Sequence, residues 1–552
     1  MTGAERSRRF MDRAVRLREQ FIAALRNART GQRELLARLL AANADTAFGR
    51  EHGFAQVRDL RDYRRAVPIR PYAAFRPLVD RALAGERNVL TAADPVLYFA
   101  TAGTTGAPKR VPVVREAFNH LTNNQVVYWG CLADRHPAVA ERDDAVVMLH
   151  LAPRPFAELS ATGVPILNPT HIPAERNGIM PYARAPWFPP PAALGDAERL
   201  YFFLRQTIEH DLRGFACLHP SRMSGFAARL AQDAPRLVQE LHDGTVCGVR
   251  EGAPNPARAA ELERIAGRGA IAPRDVWPNL EFIACWYGGS FKLYAPSIVE
   301  AYGAPLVAHM SASSEAGHIT LPIDGEPMDG PLTVHANFYE FIPVDDTVED
   351  ATSPEHLARY NEATLTCDEL ELGGRYELVL TSPSGLYRYA PGDRFEVQGF
   401  VHGVPRIGFI GRGGIVDMTG EKISEQHVQA AIDDVLGELG LAAVCATCCA
   451  VFGTSAHYVF VFEPGGAWPA AAHDQLAGKL DSELRRINSR YELKRSFGDL
   501  APPRVELAAS GAFERHRQQR IARGAPATQL KDKLLHTDPL VLSALLEESH
   551  GS

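Results

Sequence analysis

Apolar residues recur at helical spacing near the start of the chain, in "MTGAERSRRFMDRAVRLREQFIAALRNART". They fall roughly on one stripe of a helix, which predicts an amphipathic helix with this apolar stripe: Phe10, Val15, Leu17, Phe21, Ile22 and Leu25. Acidic residues share the polar face with arginines, so we expect the helix to dock on the protein rather than on a membrane. The stretch lacks the apolar core of a secretory signal. Residues 1 to about 90 are predicted to be mostly helical.

From about residue 94 to 345, short apolar runs such as "AVVMLHLA", "FACLHP" and "PLVAHM" alternate with helical stretches. This alternation predicts an α/β arrangement. Residues 372 to 410 instead show consecutive strand patterns separated by turn residues. We therefore expect a β-rich subdomain at the end of the large part of the chain.

The pattern changes again after "GRGG", Gly411 to Gly414. A helix, "SEQHVQAAIDDVLGELG", precedes the strand pair "ATCCAVFG" and "HYVFVFEP", a long helix and the strand "RVELAA". Such a unit has the size of a small α+β domain. Because glycines free the backbone, we predict a large domain over 1–410, a hinge at 411–416 and a small mobile domain over 417–552.

Composition excludes several classes of partner. A chain of 552 residues is too long for one core, which agrees with two domains. A net charge of −7 gives no general attraction to nucleic acid or anionic membranes. No apolar run approaches the roughly 20 residues that span a bilayer. Eight scattered cysteines are typical of reduced thiols in the cytoplasm. We expect small-molecule substrates and no nucleic acid, membrane or obligate protein partner.

Two pairs of residues have the sequence spacing of known metal ligands. Cys445 and Cys448 form a CxxC, but a zinc site needs a second ligand pair and none follows at a usual distance. Small and β-branched neighbours instead predict a buried strand. Glu315 and His318 have the ExxH spacing of a di-iron ligand pair, which requires a matching copy on another core helix. The other obvious copy lies at the C-terminal end, so metal-carboxylate chemistry is not expected.

The stretch "YFATAGTTGAPKRVPV", Tyr98 to Val113, concentrates glycine, threonine and lysine between two apolar runs. Its spacing does not fit the Walker loop GxxxxGK(S/T) or the dinucleotide motif GxGxxG. What remains is a strand–loop–strand whose backbone N–H groups and hydroxyls can donate to a polyphosphate. A plain hairpin turn is the alternative.

This loop resembles the phosphate loop of the adenylate-forming ligase superfamily. Four further blocks follow in order: "APLVAHMSASSEAGH", "NFYEFIP", "GLYRYAPGDRFEV" and "GAFERHRQQRIARGAPATQLKDKL". Together they resemble the auxin-responsive Gretchen Hagen acyl-acid amido synthetases and their bacterial relatives. The resemblance implies a large α/β adenylate-forming domain with a β-rich subdomain, followed by a small mobile α+β domain.

The chain departs from this pattern in two places. Ser311 stands where many relatives have a tyrosine that stacks on adenine. Met310, or the turn containing Gly289 and Ser290, is a candidate replacement. The hinge block "GRGGIVDMTGEKISEQHV" keeps the wider superfamily pattern, which is typical of a bacterial member.

The resemblance implies that ATP adenylates a carboxylic acid, releasing pyrophosphate, and that an amine, expected to be an amino acid, then takes the acyl group. Glu315 is implied to ligate magnesium and Lys531 to bridge the acid and the α-phosphate. The implied nucleotide contacts are Thr101, Gly103, Thr104, Thr105, Gly106, Lys109, Ser313, Ser314, Asp393 and Arg412.

Two alternatives stay open: an acyl-CoA or carrier-loading ligase of the same superfamily, and a nucleotide-binding scaffold without turnover. The sequence does not identify the residues that contact the acyl group. The helix "REAFNHLTNNQVVYWGCL" is expected to line the acyl pocket, and Tyr128 and Trp129 fit either the pocket or the core.

Overall fold

The computed structural model describes residues 3–101, 109–142, 144–149, 158–167, 196–217, 220–249, 252–286, 295–324, 329–344, 351–412, 415–513, 515–516, 519 and 534–546. They form two compact units. The larger contains most residues up to 413, and the smaller contains residues 221–225 and the chain from 414 onward. This division falls inside the predicted hinge at 411–416. Hinge motion, and the domain limits 1–410 and 417–552, stay predictions.

Helices dominate the first 90 residues and recur between the strands. In chain order they are α1 (Gly3–Arg26), α2 (Ala28–Ala42), α3 (Ala47–Glu51), α4 (Leu60–Ala66), α5 (Tyr72–Leu83), α6 (Arg115–Arg135), α7 (Ala138–Glu141), α8 (Asp196–Thr207), α9 (Ser221–Asp243), α10 (Pro256–Ala266), α11 (Pro273–Val276), α12 (Ala295–Tyr302), α13 (Pro354–Arg359), α14 (Glu425–Leu439), α15 (Ala470–Ile487), α16 (Ser489–Phe497) and α17 (Pro539–Leu546). Among the helices in the described ranges, none is long and apolar enough to span a bilayer.

The strands are mostly short. In chain order they are β1 (Pro95–Thr101), β2 (Lys109–Val114), β3 (Val146–Met148), β4 (Glu158–Leu159), β5 (Pro165–Leu167), β6 (Gly214–Ala216), β7 (Phe282–Cys285), β8 (Leu306–Ala308), β9 (Ala312–Ser313), β10 (Gly317–His318), β11 (Phe338–Pro343), β12 (Leu365–Thr366), β13 (Arg375–Thr381), β14 (Asp393–Val401), β15 (Val404–Arg412), β16 (Ile415–Val416), β17 (Ile423–Ser424), β18 (Ala443–Val451), β19 (His457–Pro464), β20 (Arg504–Leu507) and β21 (Leu535–His536).

Helix α1 docks on the protein, as its apolar stripe predicts. Phe21 and Leu25 are buried in the main hydrophobic core. The helix passes so close to α6 that a Cβ placed on Gly130 would lie 2.3 Å from the Cβ of Ala14. A larger residue at position 130 would therefore push the two helices apart.

The larger unit contains the predicted α/β pattern. Strands β3, β6, β7 and β8 form a parallel sheet, and β2, β1, β5 and β4 form a second, mixed sheet. The β-rich subdomain is an antiparallel run in the order β12-β11-β13-β14-β15. Its central strands supply core residues on one face, so the sheet is anchored to the same core as α1.

The smaller unit contains the sheet β20-β19-β18-β21. Cys448 and Cys449 lie buried on β18, and burial raises the pKa of the Cys449 thiol to about 12. A protonated, buried thiol is a poor metal ligand. No cluster of ligands that could hold a metal ion occurs in the described part of the chain. The prediction of buried cysteines is confirmed for Cys448 and Cys449, whereas Cys445 is only partly buried.

Candidate active site

The glycine- and threonine-rich loop joins two antiparallel strands, as the sequence predicts. The last residue of β1, Thr101, faces Lys109, the first residue of β2. Gly103, Thr104, Thr105 and Gly106 lie outside the described residues. The strand–loop–strand is therefore confirmed at its two ends, while the phosphate contacts of the loop stay predictions.

The Ser-Ser-Glu block forms a tight β turn. Strand β9 ends at Ser313 and pairs antiparallel with β10, which begins at Gly317. The Ser313 Oγ accepts a hydrogen bond from the Ala316 N–H at 3.0 Å, and Gly317 adopts a φ of +68°. That left-handed conformation favours glycine. Glu315 thus lies in a turn, not on a helix, which removes the di-iron interpretation of its spacing with His318.

Lys109, Glu315 and Tyr389 converge in what we call the Lys–Glu–Tyr cluster. The Tyr389 hydroxyl donates to Glu315 Oε1 at 2.9 Å and accepts from Lys109 Nζ at 3.3 Å. Lys109 Nζ lies 3.6 Å from the same carboxylate oxygen. The Glu315 side chain is only 9% exposed, so the ion pair is screened little by solvent. Two predicted site residues from distant blocks are thereby in contact.

Two tyrosines that sequence reasoning missed complete this cluster. Tyr389 is fully buried, and Tyr72 has Lys109 Nζ 5.3 Å from its ring centre. The Tyr72 hydroxyl accepts from the Arg110 N–H at 2.8 Å and donates to the Arg110 carbonyl at 2.6 Å, which fixes the start of β2. Burial raises the pKa of Tyr72 to about 12. The nearby motif could have drawn attention to Tyr389, whereas nothing local marks Tyr72.

Arg388, the residue before Tyr389, is held by partners outside the Lys–Glu–Tyr cluster. Its guanidinium is fully buried, donates from Nε to Glu340 at 2.9 Å and donates from Nη1 to the Val67 carbonyl at 2.9 Å. Arg388 also has a φ of +50°, an uncommon conformation for a residue with a side chain. The dense hydrogen bonding compensates for that strain.

Asp393 and Arg412 face each other across β14 and β15. They are paired in the antiparallel register, and Asp393 is 7% exposed. The side chain of Arg412 lies outside the described residues. The structure therefore places the two predicted ribose contacts side by side in the backbone, and their roles stay predictions.

The predicted adenine contacts are less well supported. Met310 is fully buried in the core, and its carbonyl accepts from Trp286 Nε1 at 3.0 Å, so its side chain offers no surface to a ring in this conformation. Ser311 is also buried and donates to Asp329 at 3.4 Å. Gly289, Ser290 and the predicted catalytic Lys531 lie outside the described residues.

A pocket extends from the turn that carries Glu315. The first half of α6 borders it, as do the turn 314–318 and residues 382–384. Tyr128 and Trp129, on the second half of α6, do not border it. The Tyr128 hydroxyl donates to the Ala308 carbonyl at 3.0 Å, and both aromatic side chains belong to the core. The helix thus lines a pocket, but with other residues.

Known proteins with similar sequences match the chain along most of its length. The GH3 family N-terminal domain matches residues 17–306, the GH3 family central domain residues 330–412 and the GH3 family C-terminal domain residues 426–539. Indole-3-acetic acid-amido synthetase GH3.8 of Oryza sativa subsp. indica is 25% identical, over 93% of this chain and 89% of its own. Indole-3-acetic acid-amido synthetase GH3.6 of Arabidopsis thaliana is 24% identical, over 92% and 88%.

The fold is also similar to a solved structure. The structure of AtGH3.15 acyl acid amido synthetase in complex with 2,4-DB superposes with a TM-score of 0.62 at 20% sequence identity. The match covers 96% of this chain and 95% of that one. The similarity therefore extends over both units of the chain.

Proposed function

The chain belongs to the GH3 family, and on that premise we propose that it is an ATP-dependent acyl-acid amido synthetase. It adenylates a carboxylic acid and transfers the acyl group to an amine, for which we propose an amino acid. The observation that carries this proposal is the family match together with the contact of Lys109 and Glu315 at 3.6 Å. These residues come from the first and second nucleotide blocks of the sequence.

The first step joins a carboxylate oxygen to the α-phosphorus of ATP and breaks the bond to the β-phosphate oxygen, so that pyrophosphate leaves. Negative charge must be held in place while this happens, and positioned cations and hydrogen-bond donors supply most of that stabilisation. We propose that Lys109 attracts the β- and γ-phosphates and that Ser313 and Ser314 donate to the α-phosphate. Asp393 and Arg412 hold the ribose.

Glu315 suits magnesium, which prefers carboxylate oxygens. The ion would neutralise charge on the phosphate oxygens. In the structure Glu315 pairs with Lys109. We propose that ATP exchanges these partners: Lys109 turns to the phosphates, and Glu315 is released toward the metal. The pairing compensates the charge of the Glu315 carboxylate, which is 9% exposed, with the partly exposed ammonium group of Lys109.

In the second step, the amine nitrogen attacks the acyl carbonyl carbon, AMP leaves, and the nitrogen loses a proton. We propose that Lys531 bridges the acid and the α-phosphate in the first step and that the smaller unit turns at the 411–416 hinge between steps. Movement between half-reactions is a common way to separate two chemistries in one site. A cytoplasmic location is proposed from the eight free cysteines.

The test is a conjugation screen. The purified protein is incubated with ATP, magnesium, pooled carboxylic acids including indole-3-acetic acid, and pooled amino acids, and pyrophosphate and conjugates are measured. We expect pyrophosphate release that depends on an acid and amide product that depends on an amino acid. Thioester formed with coenzyme A, without any amide, would replace the proposal with the acyl-CoA ligase alternative. ATP binding without turnover would favour the scaffold.

The assignment of Lys531 has its own test. Lys531→Ala should abolish adenylation while ATP binding, measured by calorimetry, remains. Asp393→Ala should instead weaken ATP binding. Unchanged turnover of the Lys531 variant would overturn its catalytic role without affecting the family assignment.

A further inference from the structure

Three side chains with unpartnered polar atoms border the pocket next to Glu315. Asn124, His318 and Ser382 are 2%, 4% and 2% exposed. Within the described part of the chain, Asn124 Nδ2, His318 Nδ1 and Ser382 Oγ have no hydrogen-bond partner. Unpaired buried polar atoms are rare and costly, so three around one pocket call for an explanation. We call them the donor triad.

The hydrogen bonds of neighbouring groups fix His318 Nδ1 as a donor. Trp129 Nε1 can only donate, and it lies 3.2 Å from Gln125 Oε1. That contact orients the amide, so Gln125 Nε2 donates to His318 Nε2 at 3.3 Å. A neutral imidazole that accepts at Nε2 carries its proton on Nδ1. The unpartnered Nδ1 is therefore an N–H group.

The other two members are donors as well. Asn124 Oδ1 accepts from His335 Nε2 at 3.1 Å, which leaves both hydrogens of Nδ2 without a partner. The Ser382 hydroxyl can rotate to donate. Apolar side chains, Phe99, Val113 and Leu121 among them, form another part of the border. The other polar residues there are His120, Ser314, Glu315, Asn337 and Ser384. Apolar walls combined with placed polar groups are the usual form of a small-molecule site.

The charged residues around the pocket restrict which kinds of ligand it can bind. Neither lysine nor arginine is among the described residues that border it, and His120, which also borders it, already lies 3.6 Å from the Glu116 carboxylate. A second carboxylate would therefore be buried without a cation, which is unfavourable. A neutral oxygen acceptor, such as a ketone, an amide or a hydroxyl group, can accept from two such donors without that penalty. Ser314 and Glu315, which we assign to the α-phosphate and to magnesium, border the same pocket, so it adjoins the place where the acid must meet the α-phosphorus.

We propose that Asn124, His318 and Ser382 select a carboxylic acid that carries a neutral oxygen acceptor on an otherwise apolar body. This inference rests on the proposed function, since it specifies the acid that is adenylated. The acid's carboxylate lies at Ser314 and Glu315, and its acceptor reaches the donor triad. The donor triad thus determines specificity, while the Lys–Glu–Tyr cluster serves the chemistry.

Matched acid pairs test the proposal on the wild-type protein. Each pair exchanges one carbonyl for a methylene group, for example 4-oxopentanoic and pentanoic acid, or 4-acetylbenzoic and 4-ethylbenzoic acid. Acid-dependent pyrophosphate release gives kcat/KM for each. We expect the oxygen-bearing members to be preferred at least about tenfold, because a site built to donate rejects ligands that leave its donors unpaired. Equal or inverted preference, or turnover confined to acids with no further oxygen, would overturn the proposal.

Two variants locate the preference. Asn124→Leu and Ser382→Ala should each lower the ratio of oxo to methylene acid by about fivefold or more. Thr122→Val is the matched control on α6, because its hydroxyl donates to the Asn119 carbonyl at 3.1 Å and should leave the ratio unchanged. If both test variants fold and the ratio of oxo to methylene acid is unaltered in each, the inference is wrong. Adenylation by these variants would still support the proposed function. Absence of adenylation with every acid would instead remove the proposed function.

Discussion

Two buried carboxylates of the larger unit have opposite surroundings. Glu340 is 1% exposed and is saturated by neighbours: Arg388 donates to it from Nε and Nη2, Arg64 from Nε, and Thr364 from its hydroxyl. Burial alone would raise the pKa of Glu340, but these groups outweigh burial and lower it. Glu315 is 9% exposed and shares one oxygen between Lys109 and Tyr389.

The difference separates a structural ion pair from one whose partners we propose ATP to exchange. Glu340 has no capacity left for a ligand, whereas Glu315 borders a pocket and is paired with a cation that has a flexible side chain. Consecutive residues of one motif serve the two carboxylates, since Arg388 binds Glu340 and Tyr389 binds Glu315. The motif therefore couples the stability of the fold to the geometry of the site.

The largest effect is expected from Arg388→Ala. It leaves the Glu340 carboxylate buried without its main partner, which should reduce the free energy of unfolding by about 3–5 kcal/mol. Urea denaturation measures it. Arg87→Ala, which breaks the exposed pair with Asp94, is the control and should cost less than about 1 kcal/mol. Similar losses in both variants would contradict the structural role of Arg388.

Glu315→Gln should have the next largest effect, on rate rather than stability. Loss of one charge-stabilising group in an active site lowers kcat by about 10²–10³. Pyrophosphate release measures the rate, and urea denaturation checks that the fold persists. Glu158→Gln is the control, because Glu158 forms a half-exposed ion pair with Arg110, which follows Lys109 on β2. Full activity in the Glu315 variant would show that this carboxylate is not part of the chemistry.

Tyr389→Phe should have a smaller effect of about tenfold on kcat, because it removes one hydrogen bond to a charged group. Tyr387→Phe is the matched control: its hydroxyl donates to the Leu90 carbonyl at 2.9 Å, inside the core. We expect both variants to lose some stability and only the Tyr389 variant to lose rate. Equal rates would mean that Tyr389 supports the fold alone.

The smallest effect is expected at His309, a buried group that, unlike the two carboxylates, stays neutral. Burial lowers the pKa of His309 to about 4, below its value of about 6.5 in an unfolded chain. The unfolded state then binds more protons, so stability is present above pH 6.5 and is lost as the pH falls toward 4.

His309→Gln should remove about 0.5–1 kcal/mol of the stability that the wild type loses between pH 7 and pH 6. Urea denaturation at the two pH values measures the difference. His242→Gln is the control, because that side chain is 65% exposed. An unchanged pH dependence in the His309 variant would contradict a neutral, buried His309.

The sequence was sufficient to predict the main secondary-structure elements and part of the candidate site. Strong periodicity predicted α1, the parallel strands and the β-rich run, because hydrophobic spacing reflects which face is buried. Ordered blocks predicted that Lys109 and Glu315 belong to one site, and their contact agrees with this. The sequence left Tyr128 and Trp129 open between pocket and core, because an aromatic on a helix does not reveal which cavity, if any, it faces, and the structure places both in the core.

What the sequence determined by itself was the order of helices and strands, since that depends on residue types at short spacing, while the kind of chemistry followed from the resemblance of its ordered blocks to a known family. The tertiary structure alone decided that Tyr72 and Tyr389 fix the cluster, that Arg388 belongs to Glu340, and that Asn124, His318 and Ser382 meet at one pocket. These contacts join residues that are as much as 280 positions apart, as for Lys109 and Tyr389. Proximity of that kind arises only when the chain packs, because no local pattern encodes which distant side chain will fill a given hydrogen bond.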